Sequence, residues 1–373
     1  MFRHNAFETG TGATEHFFAL TIAPAESGCF HDEAEELLRL YAQTLEQYGC
    51  SENTEFLLRF HLSDITNQAP LLRNLLNGRK SFITLTGQPP ADNCRLALEA
   101  WHISPLQKRQ TAEHSFRFDM ENYRILLHEG SNPQVSGSYD QTREEFVSLE
   151  KELSGLGGNI ADHTVRTWLY CRDVDNNYAG LVQARNHFFD VIGLTRDTHF
   201  IASTGIEGQS EIPSRLVTMD SLSIPGISPR QIKYLSAPEM LSPTAIYGVS
   251  FERGTRVVFG DRSHYYISGT ASIDKHGNVL HTGDVRKQTV RLLDNVAALM
   301  ESSEGSLADL RQATVYLRDL TDAAAVRRII EERLPQGIPM VFLRAPVCRP
   351  TWLVEMEAIG INGKGSEAFP VFR

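Results

Sequence analysis

One short string recurs three times in this chain, and it constrains the fold more than any bulk property. It reads FHLSDITN at 60–67, YCRDVDN at 170–176 and YLRDLTD at 316–322. Each copy has an apolar, strand-like lead-in, then Asp, one aliphatic residue and a turn. Asp64, Asp173 and Asp319 therefore mark a common register. An aspartate between a strand and a helix suits a turn or an N-cap, and the three are read that way. Repetition at this spacing means copies of one supersecondary unit. A chain of 373 residues also exceeds one ordinary core.

The surroundings repeat as well. Helical stretches precede the strings at 32–48, 140–155 and 284–300. In the third, Val290, Leu293, Val296 and Ala297 fall at the three- and four-residue spacing of an apolar helix face. A second helix follows each string, clearest at 178–191 and 323–333. Strand patterns open the copies at 17–24, 123–130 and 265–272, and close them at 95–103, 215–224 and 352–361. One module thus reads strand, helix, strand, helix, strand, with a β-hairpin near its start. That order predicts an α/β (α+β) fold, a mixed sheet with two helices on one face. The expected modules are 14–105, 120–225 and 245–362. Linkers are expected at 104–120 and at roughly 225–245, the latter rich in Pro, Ser and Gly. A loop is expected at 131–138.

Charge and cysteine usage narrow the function classes. Net charge is -10 and no basic stripe is present, so nucleic acid is not an expected partner. No run of eighteen apolar residues exists, so no membrane span is expected, and the first residues lack an apolar signal core. The five cysteines are odd in number, widely spaced and without a C-x-x-C pair. That pattern points to a reducing compartment, the cytoplasm, and away from a disulfide framework.

Comparing the closing strands isolates candidate chemistry. With Glu99, Asp220 and Glu357 aligned, the residues two earlier are Ala97, Thr218 and Glu355, so only the third copy has a carboxylate there. Glu355 and Glu357 share one strand face. Two close carboxylates raise each other's pKa, which suits a general acid; the alternative is a solvent-facing edge. Arg349 is positioned to hold a carboxylate with paired hydrogen bonds, or to make a structural salt bridge. Cys348 is a small wall residue or a nucleophile. Gly269, Thr270 and Ser272 in SGTAS offer close approach and hydroxyls to a ligand, or form a strand bulge. Ser203, Thr204 and Gly205 make a similar string, a second cleft wall or a plain turn. Arg185 can face a neighbouring module. His276 and His281 flank a Gly-Asn turn that reads as a hairpin. No metal ligand set is expected.

These residues carry a resemblance. The third copy resembles the RidA/YjgF module, also known as endoribonuclease L-PSP, through SGTASI, QTVRLLDNVAALM, VYLRDLTD and VEMEAIGI. That family forms homotrimers with active clefts between subunits, so three modules in one chain resemble a fused trimer, a pseudo-trimer. Within it, SGTASIDKHGNVLHTGDVRKQT and VCRPTWLVEMEA resemble chorismatases, which remove the enolpyruvyl group of chorismate as pyruvate. The resemblance covers 260–362 well and thins toward the N-terminus. It implies a hydrolase or lyase with Glu355 as acid/base residue, Cys348 lining the ring, and no cofactor. Two departures stand out. QARNHFF at 183–189 lacks the family's Gly-Arg. Met340 stands where RidA-type deaminases place a carboxylate-holding arginine, leaving Arg344 or Arg349 to substitute. The expected ligand is a small carboxylate-bearing metabolite, and the fused pseudo-trimer is expected as a monomer or dimer. A RidA-like imine or enamine deaminase and a non-catalytic binder are the alternatives.

Overall fold

The computed structural model describes residues 1–24, 28–130 and 134–373. Part of the loop expected at 131–138 lies outside the described residues. Three sheets are present. The first has the order β1-β2-β5-β3-β4, from β1 (Phe2–Phe7), β2 (Thr14–Thr21), β3 (Glu55–Leu62), β4 (Phe82–Gly87) and β5 (Leu96–Ser104). Helices α1 (Phe30–Gln47) and α2 (Ile65–Leu75) accompany it. The second sheet runs β10-β9-β11-β8-β7-β6, from β6 (Gln107–Ala112), β7 (Ser115–Asp119), β8 (Arg124–Glu129), β9 (Thr164–Cys171), β10 (Ala202–Glu207) and β11 (Val217–Ser223). Its helices are α3 (Ser138–Gly155), the single turn α4 (Ile160–His163) and α5 (Val174–Val191). The third sheet runs β12-β13-β14-β17-β15-β16, from β12 (Ile232–Tyr234), β13 (Gly254–Val258), β14 (Ser263–Ala271), β15 (Leu310–Leu317), β16 (Met340–Arg344) and β17 (Val354–Asn362). Helices α6 (Val285–Glu301) and α7 (Ala323–Arg333) belong to it.

The fold is three copies of one mixed sheet, as expected, with an added strand after the second helix of every copy. After the second helix, β4, β10 and β16 each return parallel to the strand that carries the repeated string. A helix between two parallel neighbours is the usual crossover connection. The Ser203-Thr204-Gly205 string is thus strand, and IPMVFLRAP contains β16. The stretch 104–120 is no linker: β6 and β7 form a hairpin that extends the second sheet. The stretch 225–245 contributes β12, paired with β13.

Strand alternation sorts the side chains. On β5, Leu96, Leu98 and Ala100 pack in the cluster that holds Ala34, Leu37, Tyr41 and Leu45 of α1. Ala97 and Trp101 face the other way, into a core shared with Trp168, Tyr266 and Val315 of the other modules. Helices therefore lie outside, and the three sheets face one another. The modules close into a ring through edge contacts of one kind: Gly87 with Gln209, Ile206 with Val347, and Leu343 with Pro90.

Two local expectations change. Asp64, Asp173 and Asp319 all stand at N-caps, but only Asp319 accepts from a backbone N–H, that of Thr321. Asp64 and Asp173 instead accept from Asn67 and Asn176 side chains. On α6 the buried seam is Gln288, Thr289, Leu292, Leu293, Asn295, Val296, Leu299 and Met300, whereas Val290 is 42% exposed. The seam is rotated relative to the expected one because two polar residues, Gln288 and Asn295, face inward. Gln288 accepts from the Leu353 N–H and Asn295 donates to Ala271 and Ile273 carbonyls.

Candidate active site

Glu355 faces inward from β17, where it pairs in register with Ala271 of β14 and Tyr316 of β15. It lines a cavity of about 490 Å³ between the second and third modules. One wall comes from the second module: Tyr178, Gln183 and Arg185 of α5, with Ser203, Thr204 and Gly205 of β10. The other comes from the third: Gly269, Ala271 and Ile273, then Cys348, Arg349, Trp352 and Glu355. Tyr247, Phe251 and Arg253, from the segment leading into β13, complete it.

The electrostatics are lopsided toward positive charge. Burial pushes Glu355 up to about 8; repulsion from Glu357 adds to this, and Arg253 and Arg166 oppose it. Glu355 is a neutral acid at pH 7. No hydrogen bond or ion pair reaches its oxygens among the described residues. Three guanidinium groups line the same cavity, and none of them has a carboxylate partner among the described residues. Arg185 is 1% exposed, and its Nε and Nη2 have no hydrogen-bond partner among the described residues. Its guanidinium lies 5.7 Å from the Phe251 ring. Arg253 donates through Nε and Nη2 to the Ser242 carbonyl at 3.1 and 2.8 Å. Arg349 donates to the Gly277 carbonyl at 3.0 Å and sits 4.4 Å from the Tyr247 ring and 4.8 Å from Trp352. Buried charge without a counterion is costly, so such a cluster favours an anionic ligand. The apolar part of the wall, Tyr247, Phe251, Ile273 and Trp352, suits a ring.

Cys348 lies in the wall beside Tyr178. Burial pushes its thiol up to about 12, with Glu355 adding to the effect. It is a neutral thiol there, not a ready nucleophile.

Several expected residues stand elsewhere. Alternation along β14 aims Gly269 and Ala271 at the cavity and turns Thr270 and Ser272 away. The Thr270 hydroxyl donates to the Ser268 carbonyl and Ser272 to that of Leu280. Gly269 is needed for space: a Cβ there would fall 2.2 Å from Glu355 Oε1. Glu357 does not line the cavity. It sits on the axis between the three sheets, where Arg166 Nη2 donates to it at 2.7 Å and Trp168 Nε1 at 2.9 Å. Its repeat partners Glu99 and Asp220 are there too, and Arg59 lies 4.0, 3.9 and 3.5 Å from Glu99, Asp220 and Glu357. Arg344 is exposed on β16, away from the cavity. Of the two arginines considered as substitutes for the residue at Met340, only Arg349 lines the cleft. Among cleft residues the sequence did not single out, Trp352 stands two residues before β17, and Arg253 stands just ahead of β13. Tyr178, Tyr247 and Phe251 had no local signal, because their role comes from packing across modules.

With the fold and cleft in view, three likenesses are informative. Residues 256–362 match the family model described as endoribonuclease L-PSP. That match spans the third module, where the sequence resembles the RidA/YjgF family. A 3-hydroxybenzoate synthase of Streptomyces hygroscopicus is 28% identical over 252 residues, covering 62% of this chain and 72% of that protein. A chorismatase crystal structure superposes with a TM-score of 0.66 at 20% identity, over 96% of this chain and 98% of the other. The fold is therefore that of a chorismatase along nearly its whole length, and the relatives it matches are chorismatase-like.

Proposed function

We propose that this protein removes the enolpyruvyl group of chorismate as pyruvate in the cleft between its second and third modules. The observation that carries this is the pairing of a neutral Glu355 with three guanidinium groups that lack a carboxylate partner. Chorismate brings two carboxylates and a ring. Arg185, Arg253 and Arg349 hold the carboxylates by charge-assisted hydrogen bonds, while the aromatic wall packs the ring. Glu355 donates its proton to the enolpyruvyl methylene carbon, which makes the ether carbon electrophilic. Loss of pyruvate then leaves a cyclohexadiene diol when water adds. When the ring loses its hydrogen and aromatises, hydroxybenzoate and pyruvate together account for every atom of the substrate. The resemblance of Cys348 to the ring-lining residue, and the 3-hydroxybenzoate synthase relative, support the hydroxybenzoate outcome.

The test is pyruvate release from chorismate, followed by coupling to lactate dehydrogenase. Release by the wild type that falls by about 10²–10⁴-fold in Glu355→Gln is expected for loss of a general acid. Equal rates in the two proteins overturn the assignment. Arg349 at the cleft favours one other reading, a RidA-like imine hydrolase; faster ammonia release from 2-aminoacrylate with no pyruvate from chorismate would select it.

A further inference from the structure

We propose that the Thr204 hydroxyl is a hydrogen-bond donor reserved for an oxygen of the ligand in this cleft, and that Arg166 is the positioning residue that frees it. The inference rests on the cleft being a dicarboxylate site. A threonine hydroxyl has two acceptor lone pairs and one proton to donate. Both acceptor positions of Thr204 are filled: Arg166 Nη2 donates to its Oγ1, and so does the Gly269 N–H at 2.9 Å. Its proton finds no acceptor among the described residues, although Thr204 is 1% exposed. Thr204 lines the cavity: its Cγ2 and Glu355 Oε1 both border the space that a Cβ on Gly269 would fill, and its hydroxyl meets the Gly269 N–H. A buried hydroxyl whose lone pairs are already taken can offer a ligand only its proton.

The repeat supplies an internal comparison. The strand register makes Thr84, Thr204 and Val341 equivalent, as the parallel partners of Arg59, Trp168 and Thr314. Those three in turn face the axis carboxylates Glu99, Asp220 and Glu357. At the interface of modules one and two, Thr84 donates its proton to Asp220 at 2.7 Å. At the interface of modules two and three, the corresponding carboxylate, Glu357, is occupied by Arg166 and Trp168 instead. Residues two before the register position are Leu57, Arg166 and Gln312, so the arginine is peculiar to the second module, whose Thr204 strand walls the open cleft. Arg166 thus takes over the carboxylate and leaves the Thr204 proton to the cleft.

Isothermal titration with isophthalate, a ring dianion that needs no turnover, and with chorismate on a Glu355→Gln background tests the proposal. Thr204→Val is expected to weaken both ligands by about tenfold, the loss of one hydrogen bond to a charged group. Thr204→Ser should bind like the parent, and Thr84→Val should lose thermal stability while leaving both affinities unchanged. Should Thr204→Val not fold, Thr204→Cys, a poor donor of similar shape, takes its place. Affinities for both ligands within about twofold of the parent in the Val or Cys variant overturn the proposal, as does failure of the parent to bind either ligand. Thr204-dependent isophthalate binding without pyruvate release from chorismate would leave the donor standing and remove the chorismatase reading.

Discussion

Glu355 is an acid at neutral pH because its carboxyl is buried with Glu357 nearby and without a counterion in contact. Its folded pKa lies above that of the unfolded chain, about 4. Its contribution to stability is therefore complete below about pH 4 and is lost as pH rises toward about 8. Glu355→Gln does not titrate, so its melting temperature relative to wild type should climb between pH 5 and pH 8 and level off above. A constant difference across that range would mean the carboxyl is not held neutral. For the same reason kcat/KM for pyruvate release should fall above about pH 8. Arg185 has no partner among the described residues for Nε or Nη2, so Arg185→Met should cost little stability. It should raise KM by about 10–100-fold, the worth of a charge-assisted hydrogen bond. The thiol of Cys348, pushed up to about 12, should resist iodoacetamide at neutral pH, whereas exposed Cys29 should label first. Mass spectrometry of a time course separates the two.

At the scale of elements, α6 shows why periodicity misjudges a face by part of a turn. Apolar spacing chose Val290, but the helix turns Gln288 and Asn295 inward, because each satisfies backbone groups that β14 and the loop before β17 leave open. Val290→Glu should therefore change stability by no more than about 0.5 kcal/mol. Leu293→Ala, at a fully buried site, should cost about 2–5 kcal/mol by chemical denaturation. The strands β4, β10 and β16 were missed for a related reason. They are short, and their connection to the preceding helix carries no repeated string. On β14 the reverse holds. SGTAS was legible as a special strand, and alternation then divides it, with Gly269 on the cleft and Thr270 and Ser272 turned away.

For the whole molecule, the three sheets depend on one another. Their inner faces form a single apolar core, and Arg59 lies within 4.0 Å of a carboxylate from each module. Removing one partner from a buried charge network leaves uncompensated charge, at about 3–5 kcal/mol. Arg59→Met should lower stability by that amount, and the loss should appear as one displaced unfolding transition, not as three. The sequence by itself determined the module, its threefold repetition and the singular carboxylate at Glu355, since periodicity, turn residues and a comparison of copies are local properties. It could not give Glu355 and Glu357 their different surroundings. The two are alike on the strand and differ only in what the neighbouring module brings: for Glu355 an open cleft, for Glu357 Arg166 and Trp168. Tertiary structure alone decided that the cleft lies between modules two and three, and that Arg185, Arg253 and Arg349 meet there from separate segments. Those placements depend on how sheets close into a ring, and no pattern within one segment encodes the distance to another.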